Sequence, residues 1–348
     1  MAYGTVNTDI VSDSSGGRLA PISSVFRNRI INGAMVISQV GTSATISTTK
    51  AYIPDRWGCN ANYTTSSTIA QSSNAPTGFV NSCLITVGTG ASPAANDYFR
   101  VSQGIEGYNI ADLGWGTANA KTITISFWVK SSLTGTFGVG LFNTNTRSYV
   151  SSYTISAANT WEQKTITIAG DTSGTWNTDN SAGVYLAFDL GEGTSRSTST
   201  TNSWQASSVF GLTGGVKLGT TSGATWQLSG VQFEVGSSAT GFEYRMYGTE
   251  LNLCQRYYYQ VVGGAGTGSS VSFMAVQYLA NSTMWMSLPL IQTMRTAPTA
   301  TLSNFAGSGG GSVTVVGTNV YSIDISNSGT GSGFYLGTGS TVTASAEL

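Results

Sequence analysis

Thr225-Trp226-Gln227-Leu228-Ser229-Gly230-Val231-Gln232-Phe233-Glu234-Val235 is the stretch whose apolar positions decide the fold. Trp226 and Leu228 share one parity, whereas Val231, Phe233 and Val235 share the other. Successive side chains of a β-strand face opposite sides, so a one-residue slip would turn the second half inside out. The switch falls at Ser229 and Gly230. A β-bulge there returns the second half to the inward face, and glycine inside a strand often marks such a site.

Outward from this strand, the period-two pattern recurs. Thr122 to Lys130 places Ile123, Ile125, Phe127 and Val129 on one face and Thr122, Thr124, Ser126, Trp128 and Lys130 on the other, as in a half-buried strand. Phe137, Val139 and Leu141 repeat the alternation after a turn at Leu133 to Gly135, which predicts a hairpin. Val184, Leu186, Phe188 and Leu190 make another face, and Trp161 with Lys164 to Ile168 one more. A single helix is predicted from Glu250 to about Tyr258, with Thr249 as N-cap and Leu251, Cys254 and Tyr258 on its buried face. Beyond it, Ser270 to Gln277, Met284 to Leu290, Val313 to Val316, Val320 to Ile325 and Phe334 to Leu336 read as short strands between Gly and Ser turns.

The 348 residues exceed what one ordinary core usually holds. Hydrophobic residues make up 40% and charged residues only 9%, roughly a third of the usual share, so polarity rests on Ser, Thr, Asn and Gly. A net charge of −1 with no basic stripe sets nucleic acid and anionic membranes aside as partners. No run approaches the roughly 18 apolar residues that span a bilayer, and the opening residues do not have the layout of a secretory signal, so neither membrane insertion nor export is expected. Cys59, Cys83 and Cys254 are too few for a disulfide framework. Buried free thiols are expected, with a Cys59–Cys83 bridge as the alternative. The chain has no histidine, which removes His-dependent triads and the usual zinc sites. No cofactor, metal or catalytic residue is assigned.

Loop chemistry points to sugars. Sites for neutral glycans use an aromatic ring against the apolar face of a pyranose, flanked by amides and carboxylates for the hydroxyls. Trp176 with Asn177 and Asp179, Trp204 with Asn202 and Gln205, and Trp115 between Gly114 and Gly116 have that composition. Each tryptophan is either a stacking platform or a cover folded over the end of a sandwich. Trp57, Trp128, Trp161 and Trp226 lie within strand patterns and read as packing residues. Two carboxylate pairs, Asp189 with Glu192 and Glu106 with Asp112, are the candidates for glycoside hydrolysis, although acidic residues at a strand end commonly serve as caps. Asp171 and Asp179 are the candidate carboxylate ligands of a structural calcium ion, but no calcium-loop spacing is present. Tyr257, Tyr258 and Tyr259 either knit the helix to both domains or pack on a neighbouring subunit.

Family resemblance adds to this reading. Asn28-Arg29-Ile30-Ile31-Asn32-Gly33-Ala34-Met35, followed by Tyr52-Ile53-Pro54-Asp55-Arg56-Trp57, resembles the opening of jelly-roll carbohydrate-binding modules found in bacteriophage tail-fibre proteins. Ile125 to Lys130 and Trp161 to Lys164 resemble internal strands of those modules. Leu228 to Gly236, continuing through Phe242-Glu243-Tyr244-Arg245 and Tyr247 to Leu251 as far as Tyr258, resembles their closing strand and junction. Met294 to Thr299 and Ala344 to Leu348 resemble the C-terminal domain of such proteins. The expected architecture is all-β: an N-terminal arm over 1–26, too poor in apolar residues to build a core and read either as a virion-docking segment or as a disordered tail, a jelly-roll β-sandwich over 27–247, a short helix over 248–260, and a second, smaller β-sandwich or barrel over 261–348. The resemblance implies a virion protein that assembles as a homotrimer and contacts host-surface carbohydrate; together with the residue-level reading, the expectation is a tail-fibre or receptor-binding protein, not an enzyme, that docks on another virion protein through its arm. A purely structural head fibre or decoration protein is the alternative, and a depolymerising tailspike the third class.

Overall fold

The computed structural model describes residues 26–64, 66–262, 284–307, 313–327 and 334–348, together with the short strand pairs Val11–Ser12 with Arg18–Leu19 and Val271–Ser272 with its partner strand. The fold is all-β, a jelly-roll sandwich of two antiparallel sheets. One sheet has the order Trp204–Gln205, Ser148–Ile155, Gly135–Phe142, Ala182–Asp189, Phe99–Glu106, Gly58–Ala61 and Ala51–Tyr52. The other runs Glu162–Ile168, Ile123–Ser131, Thr225–Val235, Ser82–Thr86, Thr68–Ser72 and Ser43–Thr45. Between them lie Trp57, Phe99, Phe127, Phe137, Phe188, Trp226 and Phe233, all fully buried. Burying one such side chain contributes about 1.5–3 kcal/mol, so this shared layer is what holds the two sheets face to face.

The bulge stands where the parity switch puts it. Thr225–Val235 pairs with Ile123–Ser131, and the register shifts between Ser229 and Gln232. Gly230 takes a left-handed φ of 60°, the conformation that glycine adopts at little cost. The hairpin expected between Ile123–Ser131 and Gly135–Phe142 does not form: the two strands lie in opposite sheets. Their apolar faces must meet across the core, which a hairpin within one sheet would prevent. Gly135, at φ 124°, takes part in the crossing. The hairpin partner of Gly135–Phe142 is Ser148–Ile155, closed by Asn143 N–H donating to the Arg147 carbonyl at 3.0 Å.

Residues 28–33 dock on the bulge. Asn28 Nδ2 donates to the Val231 carbonyl at 2.9 Å, while Asn28 Oδ1 accepts from Ile30 and Phe233 N–H at 3.0 Å each. Val231 N–H in turn donates to the Gly33 carbonyl at 3.0 Å. Asn32, left-handed at φ 57°, closes the next turn through its side chain to both the N–H and carbonyl of Ile37, and its carbonyl accepts from the Trp57 indole at 3.0 Å. The segment thus satisfies the polar groups that an interrupted ladder leaves unpaired.

The helix spans Tyr247–Gln255, starting and ending about three residues earlier than its sequence suggests. Tyr258 begins a strand, Tyr258–Val262, that pairs with Phe334–Ser345, and this ladder overrides helical propensity. Tyr257 takes the buried position instead of Tyr258. In the C-terminal unit, Phe334–Ser345 is flanked by Tyr258–Val262 and Thr299–Gly307, the latter a strand that its small polar residues conceal. Met284–Pro289, Ser322–Asn327 and Val313–Asn319 form the facing sheet, around a core that includes Leu288, Ile323, Ile325 and Val342. The apolar run expected over 270–277 lies outside the described residues apart from Val271–Ser272, and so does most of the arm. All three cysteines are buried free thiols, so the Cys59–Cys83 bridge is absent, and burial pushes each thiol up.

A Cβ on Gly33 would stand 2.2 Å from the Val231 carbonyl oxygen, a backbone atom with no room to yield. Gly33→Ala should therefore cost about 1–3 kcal/mol and lower the melting temperature by several degrees. Gly241→Ala, where nothing lies within 4 Å, should melt like the parent; equal melting of all three chains would contradict the docking role.

Candidate functional site

The three loop tryptophans come together. Trp115 and Trp176 meet edge to face at 4.8 Å between centroids, and each stands 5.3 Å from Trp204, which also touches Tyr149 at 5.2 Å. Their indole N–H groups all donate to backbone carbonyls, those of Lys121, Ser173 and Ala169. Trp115 is 6% exposed, Trp176 8%, and Trp204 half-buried. The cluster closes one end of the sandwich, with Trp204 bringing the most open ring. Its neighbours are bound into the turn: Asn202 Oδ1 accepts from Ser151 at 2.7 Å, and Gln205 is tied to Thr198 and Thr200. Asn177 donates to the Ala182 carbonyl, and the exposed Asp179 accepts from Ser181 N–H.

The paired carboxylates serve the fold. Asp189 is buried and accepts from the N–H groups of Gly191, Glu192 and Leu212 at 2.8–2.9 Å. Glu192 is fully buried beneath Gly211, its nearest cation the Arg100 Nε at 3.4 Å, and neither oxygen accepts a hydrogen bond. Burial pushes its carboxyl up to about 8, only partly offset by Arg100. Glu106 is held by Arg256 and the Tyr257 hydroxyl, while the exposed Asp112 pairs with Arg29 at 2.9 Å. Asp171 forms a two-bond pair with Arg147 at 2.6 and 2.7 Å rather than facing Asp179. Among the described residues, no group of three or more acidic, cysteine or histidine side chains could hold a metal ion.

A second aromatic surface lies on the outer face of the six-stranded sheet. Trp57 and Trp226 are fully buried, as strand packing predicts, but Trp128 and Trp161 are half-buried on the outward parity. Trp128 stands opposite Gln163 on one side and Ser229 on the other. Lys130, one outward position along, holds its ammonium 5.2 Å above the Trp161 ring. Asn74 Oδ1 accepts from both Lys130 Nζ at 2.8 Å and the Trp161 indole at 3.2 Å. The bulge extends the row. A Cβ on Gly230 would lie 3.0 Å from Trp128 and 2.6 Å from Phe79, so the glycine lets both rings approach. Phe79 continues into Phe242 at 5.0 Å and Tyr244 at 5.5 Å, the last 61% exposed. Ring faces flanked by amides and hydroxyls are what a pyranose requires: apolar contact for its C–H face and donors or acceptors for its hydroxyls. The outward parity of Trp128 and Lys130 is legible in the alternation of 122–130. Phe79 and Tyr244 reach the face from loops, which carry no periodic signal.

No protein-family profile matches the chain, and neither does any curated protein sequence. Solved structures do. The enzymatically active domain of tailspike protein 4 of bacteriophage CBA120 is 13% identical over 63% of this chain and 23% of its own, with a TM-score of 0.33. A putative sugar binding protein from Bacteroides thetaiotaomicron is 12% identical over 60% of this chain and 100% of its own, also at 0.33. The family 11 carbohydrate-binding module from Clostridium thermocellum, in complex with a β-1,3-1,4-mixed-linked tetrasaccharide, is 10% identical over 57% of this chain and 98% of its own, at 0.28. The chain thus spans less than a quarter of the tailspike structure's length.

Glu192 gives a pH signature. Its folded-state value lies above that of an unfolded glutamate, so the folded chain holds this proton more tightly, and the stability it contributes at low pH is lost as pH rises from about 4.5 towards about 8. Glu192→Gln keeps the shape without the charge. The variant should match the parent at pH 5 and melt several degrees higher at pH 9, and parallel melting-versus-pH curves would refute the assignment.

Proposed function

We propose that this chain is a glycan-binding fibre protein of a virus particle, a tail fibre or receptor-binding protein that attaches to host-surface carbohydrate without cleaving it. The observation that carries the reading is the open row of Trp161, Trp128 and Phe79 across the outer sheet face, set among Asn74, Gln163 and Lys130. Half-covered rings set among amides, with Tyr244 61% exposed beyond them, offer apolar faces together with polar partners. The arm over 1–26 anchors the chain to another virion protein. The C-terminal unit makes a homotrimer, supported by Ile291 at 72% and Val262 at 59% exposure, apolar surface that a second copy would cover. A purely structural head fibre or decoration protein is the competing reading, favoured by the closure of Trp115 and Trp176 into the sandwich end.

Glycan-array binding, together with antibody localisation on intact particles, separates the two. Trp161→Ala and Trp128→Ala should each lower binding about two- to tenfold with melting nearly unchanged, because an open stacking ring contributes to affinity more than to the core. Trp176→Ala should instead cost about 3–5 kcal/mol of stability. Unaltered binding in both outer-face variants removes the platform from the function. Light scattering at micromolar concentration should give the mass of three chains, and a monomer mass rules out the trimer.

A further inference from the structure

The aromatic row contains one ion, and its charge is unanswered. Lys130 Nζ donates to the neutral Asn74 amide oxygen and stands over the Trp161 ring. Its neighbours on the same face of both adjoining strands are uncharged: Trp161 and Gln163 on one side and, on the other, Gln227, whose amide is committed to Ser82. Glu162, opposite Val129 on the other face, is taken up by Lys164 and the N–H groups of Ser156 and Ala157. Among the described residues no carboxylate lies within ion-pair distance of it. Elsewhere the buried Arg56 and the partly buried Arg100, Arg147, Arg245 and Arg256 sit against carboxylates, while Lys50 and Lys217 donate to main-chain oxygens. An ammonium has three donors, and Asn74 occupies one. Partial burial of Lys130 already lowers its pKa, so holding it charged here has a cost that an incoming anion would offset.

We infer that the platform takes an acidic saccharide, a uronic or ulosonic acid residue whose ring lies on Trp161 or Trp128 and whose carboxylate pairs with Lys130. This rests on the glycan-binding reading above and narrows its ligand class. Ring stacking supplies sequence-tolerant affinity along a chain, and the ammonium selects for the carboxylate, because a neutral sugar leaves the lysine as it was. The amide of Gln163, exposed beside Trp128, is placed to meet a hydroxyl of the adjoining unit.

The test compares matched probes: oligogalacturonate and sialyllactose, each beside its carboxyl-reduced counterpart, titrated by calorimetry into the full-length chain. The acid forms should bind about fivefold more tightly than the reduced forms, and the difference should shrink as salt is added. Lys130→Gln should bring the acid forms down to the reduced-form affinity, leave the reduced forms unchanged and melt like the parent. Trp161→Ala should weaken both forms together. Equal affinity of the parent chain for acid and reduced probes, or a preference that survives Lys130→Gln, overturns the acidic ligand while glycan binding stands. Should no probe bind, or should Trp161→Ala bind every probe as the parent does, the inference and the glycan reading fall together.

Discussion

The guanidinium of Arg56 is fully buried, and the joining of the two β units depends on it. It pairs with Glu347 near the end of the chain, donates to the Gly104 carbonyl at 2.7 Å and lies 3.5 Å over the ring of Tyr257, which follows the helix. Three separate parts of the chain are thereby fastened to one charge. A buried guanidinium is costly unless paired and hydrogen-bonded, and removing one partner of such a pair costs about 3–5 kcal/mol. Tyr257 extends the network to Glu106 at 2.8 Å, and Glu106 to Arg256, so the inner end of the Phe99–Glu106 strand is tied to the same junction. Arg295 exchanges hydrogen bonds with Asn180 at 2.9 Å in both directions, which brings the C-terminal unit against the loop that leads into Ala182–Asp189.

The bulge in Thr225–Val235 does two jobs through one residue. It leaves Val231 free to exchange hydrogen bonds with Asn28 and Gly33, and so seats the start of the sandwich on its closing strand. On the opposite face, the missing Cβ of Gly230 lets Trp128 and Phe79 come close. A local departure from the ladder thus sets both the closure of the core and the continuity of the outer aromatic row. Arg245 and Glu243 reinforce the seat: Glu243 accepts from the N–H groups of Phe26, Arg27 and Asn28, and Arg245 donates to the Ile30 carbonyl at 3.0 Å.

The two groups of tryptophans illustrate how composition and accessibility part company. The loops around Trp115, Trp176 and Trp204 are rich in Asn, Thr and Asp, yet their rings face one another and their indoles are satisfied by backbone carbonyls. Three large rings in mutual contact at the mouth of a sandwich shield one another's apolar area from water, and the polar residues beside them are consumed in holding the turns. Trp128 and Trp161 have no such option. Their side of the sheet carries Thr, Ser, Gln and Lys, and the loops that cross it cover Ser229 and Thr124 fully while leaving both rings half-buried.

By itself the sequence determined the all-β class, the strand faces at 122–130 and 184–190, the bulge at Ser229 and Gly230 and the burial of Trp57 and Trp226, while the choice between free thiols and a Cys59–Cys83 bridge waited on the structure. These follow from local periodicity and from the preference of apolar side chains for the core. Only the tertiary structure decided which sheet each strand joined, as the crossing at Gly135 makes plain, since alternation fixes a strand's faces but not its neighbours. It also decided where the helix ends, because the ladder between Tyr258–Val262 and Phe334–Ser345 outweighs a helical tyrosine run. The same holds for the candidate site. The parity of Trp128 could be read directly, but whether an outward ring stays open depends on what packs above it, and that is set by loops from distant parts of the chain.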